Sequence, residues 1–147
     1  MIELALAFGI AVNLVCTEVF GLASGGLVVP GYLALHLDQQ GRVLATLLVA
    51  AATWAIVRHG LMRLVVLYGR RRFGVTILTG FVCQGAYAAA LGSAASLPMD
   101  VRAVGYLVPG LIANTAIGQG VWPTVTMTLA GAAVVRLALA AISLVVR

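Results

Sequence analysis

No charged side chain falls between Arg72 and Asp100, or between Arg102 and Arg136, and the charges that do occur sit mostly at the edges of long apolar runs. A run of roughly 20 mostly apolar residues is long enough to cross a bilayer as a helix. Four stretches meet or approach that length: residues 4–22, 43–57, 73–91 and 121–146. The second is short but is bracketed by Arg42 and Arg58, whose apolar stems let the guanidinium groups reach the headgroups. The predicted fold class is therefore all-α, a polytopic integral membrane protein. Composition agrees. Of 147 residues, 63% are hydrophobic and 9% charged, with a mean hydropathy of +1.12, whereas soluble domains carry about 25% charged residues. A soluble body this small could not cover so much apolar surface, so lipid must cover the remainder. The length fits a single membrane domain over 1–147.

Two further apolar stretches, 25–37 and 105–118, are too short for a comfortable span. Each is interrupted by Val-Pro-Gly, at Pro30-Gly31 and at Pro109-Gly110. Proline removes a backbone donor and clashes with the preceding turn, and broken backbone at membrane depth survives only when buried in protein or lining a wet cavity. The spacing predicts two re-entrant or half-helix elements with non-helical backbone at the Pro-Gly pairs. The elements resemble each other: Gly26, Val29, Pro30, Gly31 and Ala34 recur as Gly105, Val108, Pro109, Gly110 and Ala113, and Gln40-Gly41 recurs as Gln119-Gly120. The chain reads as a two-fold internal repeat, with halves of about 1–58 and 73–147. Such duplication is how many transporter-like folds place a site between repeats. Chance matching of small residues in an apolar chain is the bland alternative, and the sequence does not say whether the repeats are parallel or inverted.

The halves are joined by a basic interfacial segment, 58–72, holding Arg58, Arg63, Arg70, Arg71 and Arg72. The positive-inside tendency assigns it to the cytoplasm, and the apolar piece 64–68 is too short to span. If the Pro-Gly elements do not cross the membrane, both termini share that side, and this arrangement is preferred; if they do cross, the N-terminus lies outside. All nine basic residues are Arg. That choice suits bidentate pairing with carboxylate or phosphate and also follows from codon bias. The net charge of +5 fits anionic lipid or an anionic substrate. Nucleic acid is not expected as a partner, since no aromatic platform interleaves with the arginines.

Few residues can carry chemistry. Cys16 and Cys83 lie in apolar runs without CxxC spacing, which indicates neither a disulfide framework nor a metal site. His36 and His59 lack ligand spacing, and no phosphate-binding glycine loop is present. The N-terminus lacks the positive region of a signal peptide and reads as an uncleaved first span. Glu18 is an ionisable group inside a span, which usually marks function or a paired site; a headgroup-level Glu paired with a nearby Arg is the alternative. The spacing Gly21-x-x-x-Gly25, which lets helices approach closely, follows it. Asn114, Thr115 and Gln119 follow the second Pro-Gly and would either line a polar cleft or cap a broken helix.

Three segments, Gly26-Leu-Val-Val-Pro-Gly-Tyr-Leu-Ala-Leu35, Leu67-Tyr-Gly-Arg-Arg-Arg-Phe73 and Gly105-Tyr-Leu-Val-Pro-Gly-Leu-Ile-Ala-Asn-Thr115, resemble the membrane subunit of poly-γ-glutamate synthases, the PgsC/CapC family. The resemblance extends over nearly the whole chain, in length, motif order and the position of Glu18. It implies a partner-dependent role in capsule biosynthesis at the bacterial plasma membrane. A cytoplasmic Mur-ligase-like amide ligase, holding ATP and Mg²⁺, would activate a glutamate carboxylate as an acyl phosphate. This chain, without a cofactor of its own, would be a non-catalytic or co-catalytic subunit that helps form or pass out the γ-linked polymer with other membrane-associated subunits. Glu18, Arg70, Arg71, Arg72, Asn114, Thr115 and Gln119 are the candidate contacts to polymer or partner; Gly26, Pro30, Gly31, Gly105, Pro109 and Gly110 are the structural positions. Homo-oligomerisation stays open. The alternative function is a small stand-alone transporter or channel built on the duplicated elements.

Overall fold

The computed structural model describes residues 2–26, 28–66, 68–91 and 99–147, the side chains of Ile2, Leu91 and 99–105 excepted. Among the described residues every regular element is helical. In chain order these are α1 (Ile2–Phe20), α2 (Val29–His36), α3 (Gln40–Ile56), a π-helical turn (Val57–Leu61), α4 (Met62–Leu64), α5 (Arg70–Leu91), α6 (Met99–Gln119) and α7 (Val121–Val145). Four stretches are long and apolar enough to cross a membrane: Glu3–Phe20, Gln40–Leu64, Arg70–Ala90 and Val121–Val145. Local chemistry sets the breaks. α1 stops at Gly21, whose φ of 65° is the left-handed helix cap that glycine adopts at no steric cost, and whose N–H donates to the Thr17 carbonyl at 3.0 Å. α6 and α7 are separated by Gly120 alone (φ 102°), and Pro123 occupies the first turn of α7, where no backbone donor is needed.

The Pro-Gly pairs correct the sequence expectation. Both are helical. Pro30 sits in the first turn of α2, and the non-helical backbone lies before it, over residues 21–26. Pro109 lies inside α6, which runs unbroken through Gly105, Pro109 and Gly110 for 21 residues, about 30 Å at 1.5 Å per residue. The stretch that looked too short therefore belongs to a longer helix that starts at Met99 and takes in Asp100 and Arg102. A proline is tolerated inside such a helix because its neighbours compensate for the lost bond.

What the Pro-Gly pairs secure is close helix approach. A Cβ on Gly31 would stand 2.5 Å from the Ala5 carbonyl oxygen, and one on Gly9 would stand 2.5 Å from the Gly31 nitrogen. In the other part of the chain, a Cβ on Gly80 would stand 2.5 Å from the Gly110 Cα, and one on Gly110 would stand 2.8 Å from the Ile77 Cα. α1 thus crosses α2, and α5 crosses α6, backbone on backbone.

The helix directions follow from these and similar pairs. Ala5 beside Gly31 and Asn13 bonded to Ser24 make α1 and α2 antiparallel. Gly25 beside Thr128, Pro30 beside Gly131, and an ion pair between Asp38 and Arg136 run α7 along α2 in the same sense. Gly110 beside Thr76 and Gly118 beside Arg72 make α5 and α6 antiparallel. The Gln119 side chain, at the end of α6, bonds Ala23, just past the end of α1. One end of the bundle therefore gathers the C-terminal ends of α1 and α6, the start of α5 and the segment bearing Arg58, Arg63, Arg70, Arg71 and Arg72. The start of α1 and the end of α7 lie at the other end. This overturns the preferred arrangement, in which termini and basic segment shared a side: the extended lead-in plus α2, and the full length of α6, each return the chain to the opposite end.

The core forms where α2 meets α6, with α3 and α7 closing over it. Val29, Tyr32 and Leu33 of α2, Val43 and Ala50 of α3, Val108 and Ile112 of α6, and Ala132 of α7 are buried together. Outward faces stay apolar: Leu14, Val19, Leu48, Leu78, Val82 and Leu137 are all exposed. A surface of this kind suits lipid and not water.

Candidate functional site

Backbone outside a helix must find partners for its N–H and C=O groups when it is buried. Residues 21–26 are the described stretch where that demand falls on interior backbone. Gly25 and Gly26 (φ 80° and 122°) turn it, and a Cβ on Gly25 would stand 3.0 Å from Ile112 and 3.2 Å from the Thr128 hydroxyl. Two side-chain amides hold the segment. The Ser24 N–H and hydroxyl both donate to Asn13 Oδ1, at 3.0 and 2.6 Å. The Ala23 N–H donates to Gln119 Oε1 at 3.0 Å, while Gln119 Nε2 donates to the Ala23 carbonyl at 2.7 Å and to the Thr124 hydroxyl at 3.1 Å. Gln119 thus pairs with the Ala23 peptide as a neighbouring strand would. Asn13, Ser24 and Thr124 are all buried.

The arginine groups lie at the same end. Arg70 and Arg71 are exposed and Arg72 is half-buried. The Arg72 guanidinium faces the last turn of α6, with Nη2 3.8 Å from where a Cβ on Gly118 would be, and its Nε is buried without a hydrogen-bond partner among the described residues. Asn114, one turn before Gly118 on the same helix face, has a buried Oδ1 that likewise lacks a partner among the described residues. Thr115 returns its hydroxyl to the Leu111 carbonyl at 3.0 Å, the local bond of a helical threonine. Past α3, the Arg58 guanidinium stacks 5.3 Å over the Trp54 ring, and His59 meets that ring edge-on. The two lie at and within the π-helical turn, a deviation common at functional places.

Of the residues predicted from sequence, Arg70, Arg71, Arg72, Asn114, Thr115 and Gln119 lie on the first turn of α5 or the last turns of α6, at the basic end, with Arg72 the one arginine shown against α6, and Gly26 belongs to the clamped segment. Glu18 is on the last turns of α1, exposed, and makes no ion pair or side-chain hydrogen bond among the described residues. Asn13, Ser24 and Thr124 were not singled out from sequence. Asn13 carried a usable signal, as the only side-chain amide in the first apolar run; Ser24 and Thr124 carried none. Among the described residues no three His, Cys, Asp or Glu side chains gather to hold a metal ion. The groups present are amides, hydroxyls and guanidiniums, which bind carboxylates and peptide groups well and supply no evident nucleophile–base pair.

The fold and site define a class: an all-helical protein with lipid-suited outer faces, clamped interior backbone and an arginine-rich end fitted to anions. Sequence comparison is more specific. The family described as "Capsule biosynthesis CapC" matches residues 8–125. The "PGA biosynthesis protein CapC" of Bacillus subtilis (strain 168) is 40% identical over 126 residues, covering 86% of this chain and 85% of the relative. The "Capsule biosynthesis protein CapC" of Bacillus anthracis is 39% identical over 131 residues, covering 88% of each. No solved structure matches. The chain belongs to the CapC family of capsule biosynthesis proteins.

Proposed function

We propose that the protein is the membrane subunit of a poly-γ-glutamate synthase complex in the bacterial plasma membrane. It works with a cytoplasmic, ATP- and Mg²⁺-dependent amide ligase and with other membrane-associated capsule subunits to make and pass out the polymer. The observation that carries the reading is family membership, with relatives named for capsule and PGA biosynthesis. Chemistry supports the division of labour. Forming an amide from a carboxylate needs activation, and this chain has no phosphate-binding glycine loop, so the activating step falls to a partner. Five arginines against one glutamate at the basic end suit a polymer that carries a carboxylate on every unit.

In this reading the chain is one domain whose halves, 1–58 and 73–147, are an inverted repeat, with α1, α2 and α3 corresponding to α5, α6 and α7. The paired backbone crossings at Gly9/Gly31 and Gly80/Gly110 support the correspondence. So do the crossed packings, α2 on α7 and α6 on α3. With three helices per half, the second half enters from the opposite end, which makes the repeat inverted. The basic end is cytoplasmic by its arginine excess, and the termini are external. α2 with its extended lead-in is the half-helix element.

Reconstitution tests the proposal. Proteoliposomes holding this chain and the ligase should incorporate labelled glutamate into polymer with ATP, and the ligase alone should not. Inverted halves also favour the second reading, a stand-alone transporter. That reading takes over if proteoliposomes of this chain alone move glutamate or another anion and polymer formation ignores it.

A further inference from the structure

Arg72 and Asn114 leave two complementary groups unused in the seam between α5 and α6. Gly110, Asn114 and Gly118 follow one another at four-residue spacing and so share one face of α6. Both ends of that face touch α5: Gly110 lies against Thr76 and Ile77, and Gly118 against the Arg72 guanidinium. Asn114 lies between them. Among the described residues its Oδ1 is a buried acceptor without a donor, and Arg72 Nε is a buried donor without an acceptor; the two do not bond each other. Leaving such groups unpaired is costly, and a ligand can relieve that cost. Gly118 is exposed, and the one group near its missing Cβ is the Arg72 guanidinium, so a ligand reaches the two buried atoms from the Gly118 end by displacing that guanidinium. The ligand must be anionic, because Arg70, Arg71 and Arg72 crowd the first turn of α5, where the helix dipole is already positive.

We infer that this niche holds one unit of the product chain, with a carboxylate on Arg72 Nε and the adjoining amide N–H on Asn114 Oδ1. A γ-linked glutamyl unit carries those two groups, acceptor and donor, on one atom, its α-carbon. The inference rests on the polyglutamate reading above and deepens it, making Arg72 and Asn114 its specificity-determining residues. Lipid phosphate shares the anionic chemistry, so the lipid must be controlled.

The test uses the full chain in nanodiscs of zwitterionic lipid, and in a second set that also contains phosphatidylglycerol, with a synthetic γ-linked glutamate pentamer as probe. The wild type should bind it, and Arg72→Gln and Asn114→Leu should each weaken binding by about tenfold or more, the loss of one charge-assisted or buried hydrogen bond. Arg72→Lys, which keeps the charge without the fork, should fall between. Arg71→Gln, a change at an exposed neighbour, should weaken binding only as far as lost net charge requires. Thermal unfolding of each variant separates lost binding from lost folding. Equal loss from Arg71→Gln and Arg72→Gln, pentamer binding unchanged by Arg72→Gln and Asn114→Leu, or no pentamer binding while Arg72 retains phosphatidylglycerol would each overturn the inference. None of these results touches the reconstitution test, so the synthase reading can survive them.

Discussion

Asn13 is a buried amide whose one oxygen takes two bonds from Ser24, and those bonds fix the first non-helical turn that α1 hands to the bundle interior. Asn13→Leu leaves the buried Ser24 N–H and hydroxyl without their acceptor, and the expected cost is about 1–3 kcal/mol or somewhat more. It should be read as a lowered midpoint in thermal unfolding of the purified protein; an unchanged midpoint would mean that the clamp contributes nothing. Glu18 tests function at the same scale. It is exposed near the basic end and unpaired among the described residues, so its charge is available to a partner or to the polymer. Glu18→Gln should reduce polymer yield more than it reduces membrane-inserted protein; wild-type yield at wild-type abundance removes Glu18 from the site. Sequence drew attention to Glu18 because a charge in an apolar run is costly. Asn13 escaped because a single amide carries less cost, and its partner Ser24 is unremarkable until folding brings it eleven residues back.

At the scale of elements, the Val-Pro-Gly repeats were legible and their consequence was misread. Proline suggests a break when only the local chain is considered. In the fold, Pro30 occupies a first turn that needs no donor, and Pro109 is carried inside a 21-residue helix. The glycines matter more, since each lets another helix backbone come into contact. Gly31→Ala and Gly110→Ala should each destabilise the protein by about 1–3 kcal/mol through overpacking. Gly41→Ala and Gly74→Ala, where a Cβ meets nothing within 4 Å, should be neutral or stabilising by up to about 1 kcal/mol. Thermal midpoints of the four variants check this, and equal behaviour of all four would remove the backbone crossings from the account. Neither Gly9 nor Gly80 could be matched to its partner from sequence, because the contact depends on where a second helix crosses.

Over the whole molecule, the apolar runs made the helical class and most of the spans readable, and the arginine cluster marked one end. The direction of the chain could not be read, because it depends on whether two short apolar stretches return the chain to its starting end, and that is settled by three-dimensional pairs such as Gln119 with Ala23 and Asp38 with Arg136. The proposed topology predicts that cysteines introduced at Tyr68 and Arg147, in a background without Cys16 and Cys83, react from opposite sides of the membrane. In intact cells a membrane-impermeant thiol reagent should label the second and spare the first; labelling of both or of neither would contradict the inverted repeat. The functional claim has its own most direct measurement, which is polymer yield in cells lacking this chain, with the ligase still expressed at its normal level. The account predicts that γ-linked glutamate polymer disappears and returns when the intact chain is restored. Undiminished polymer in its absence would contradict the account.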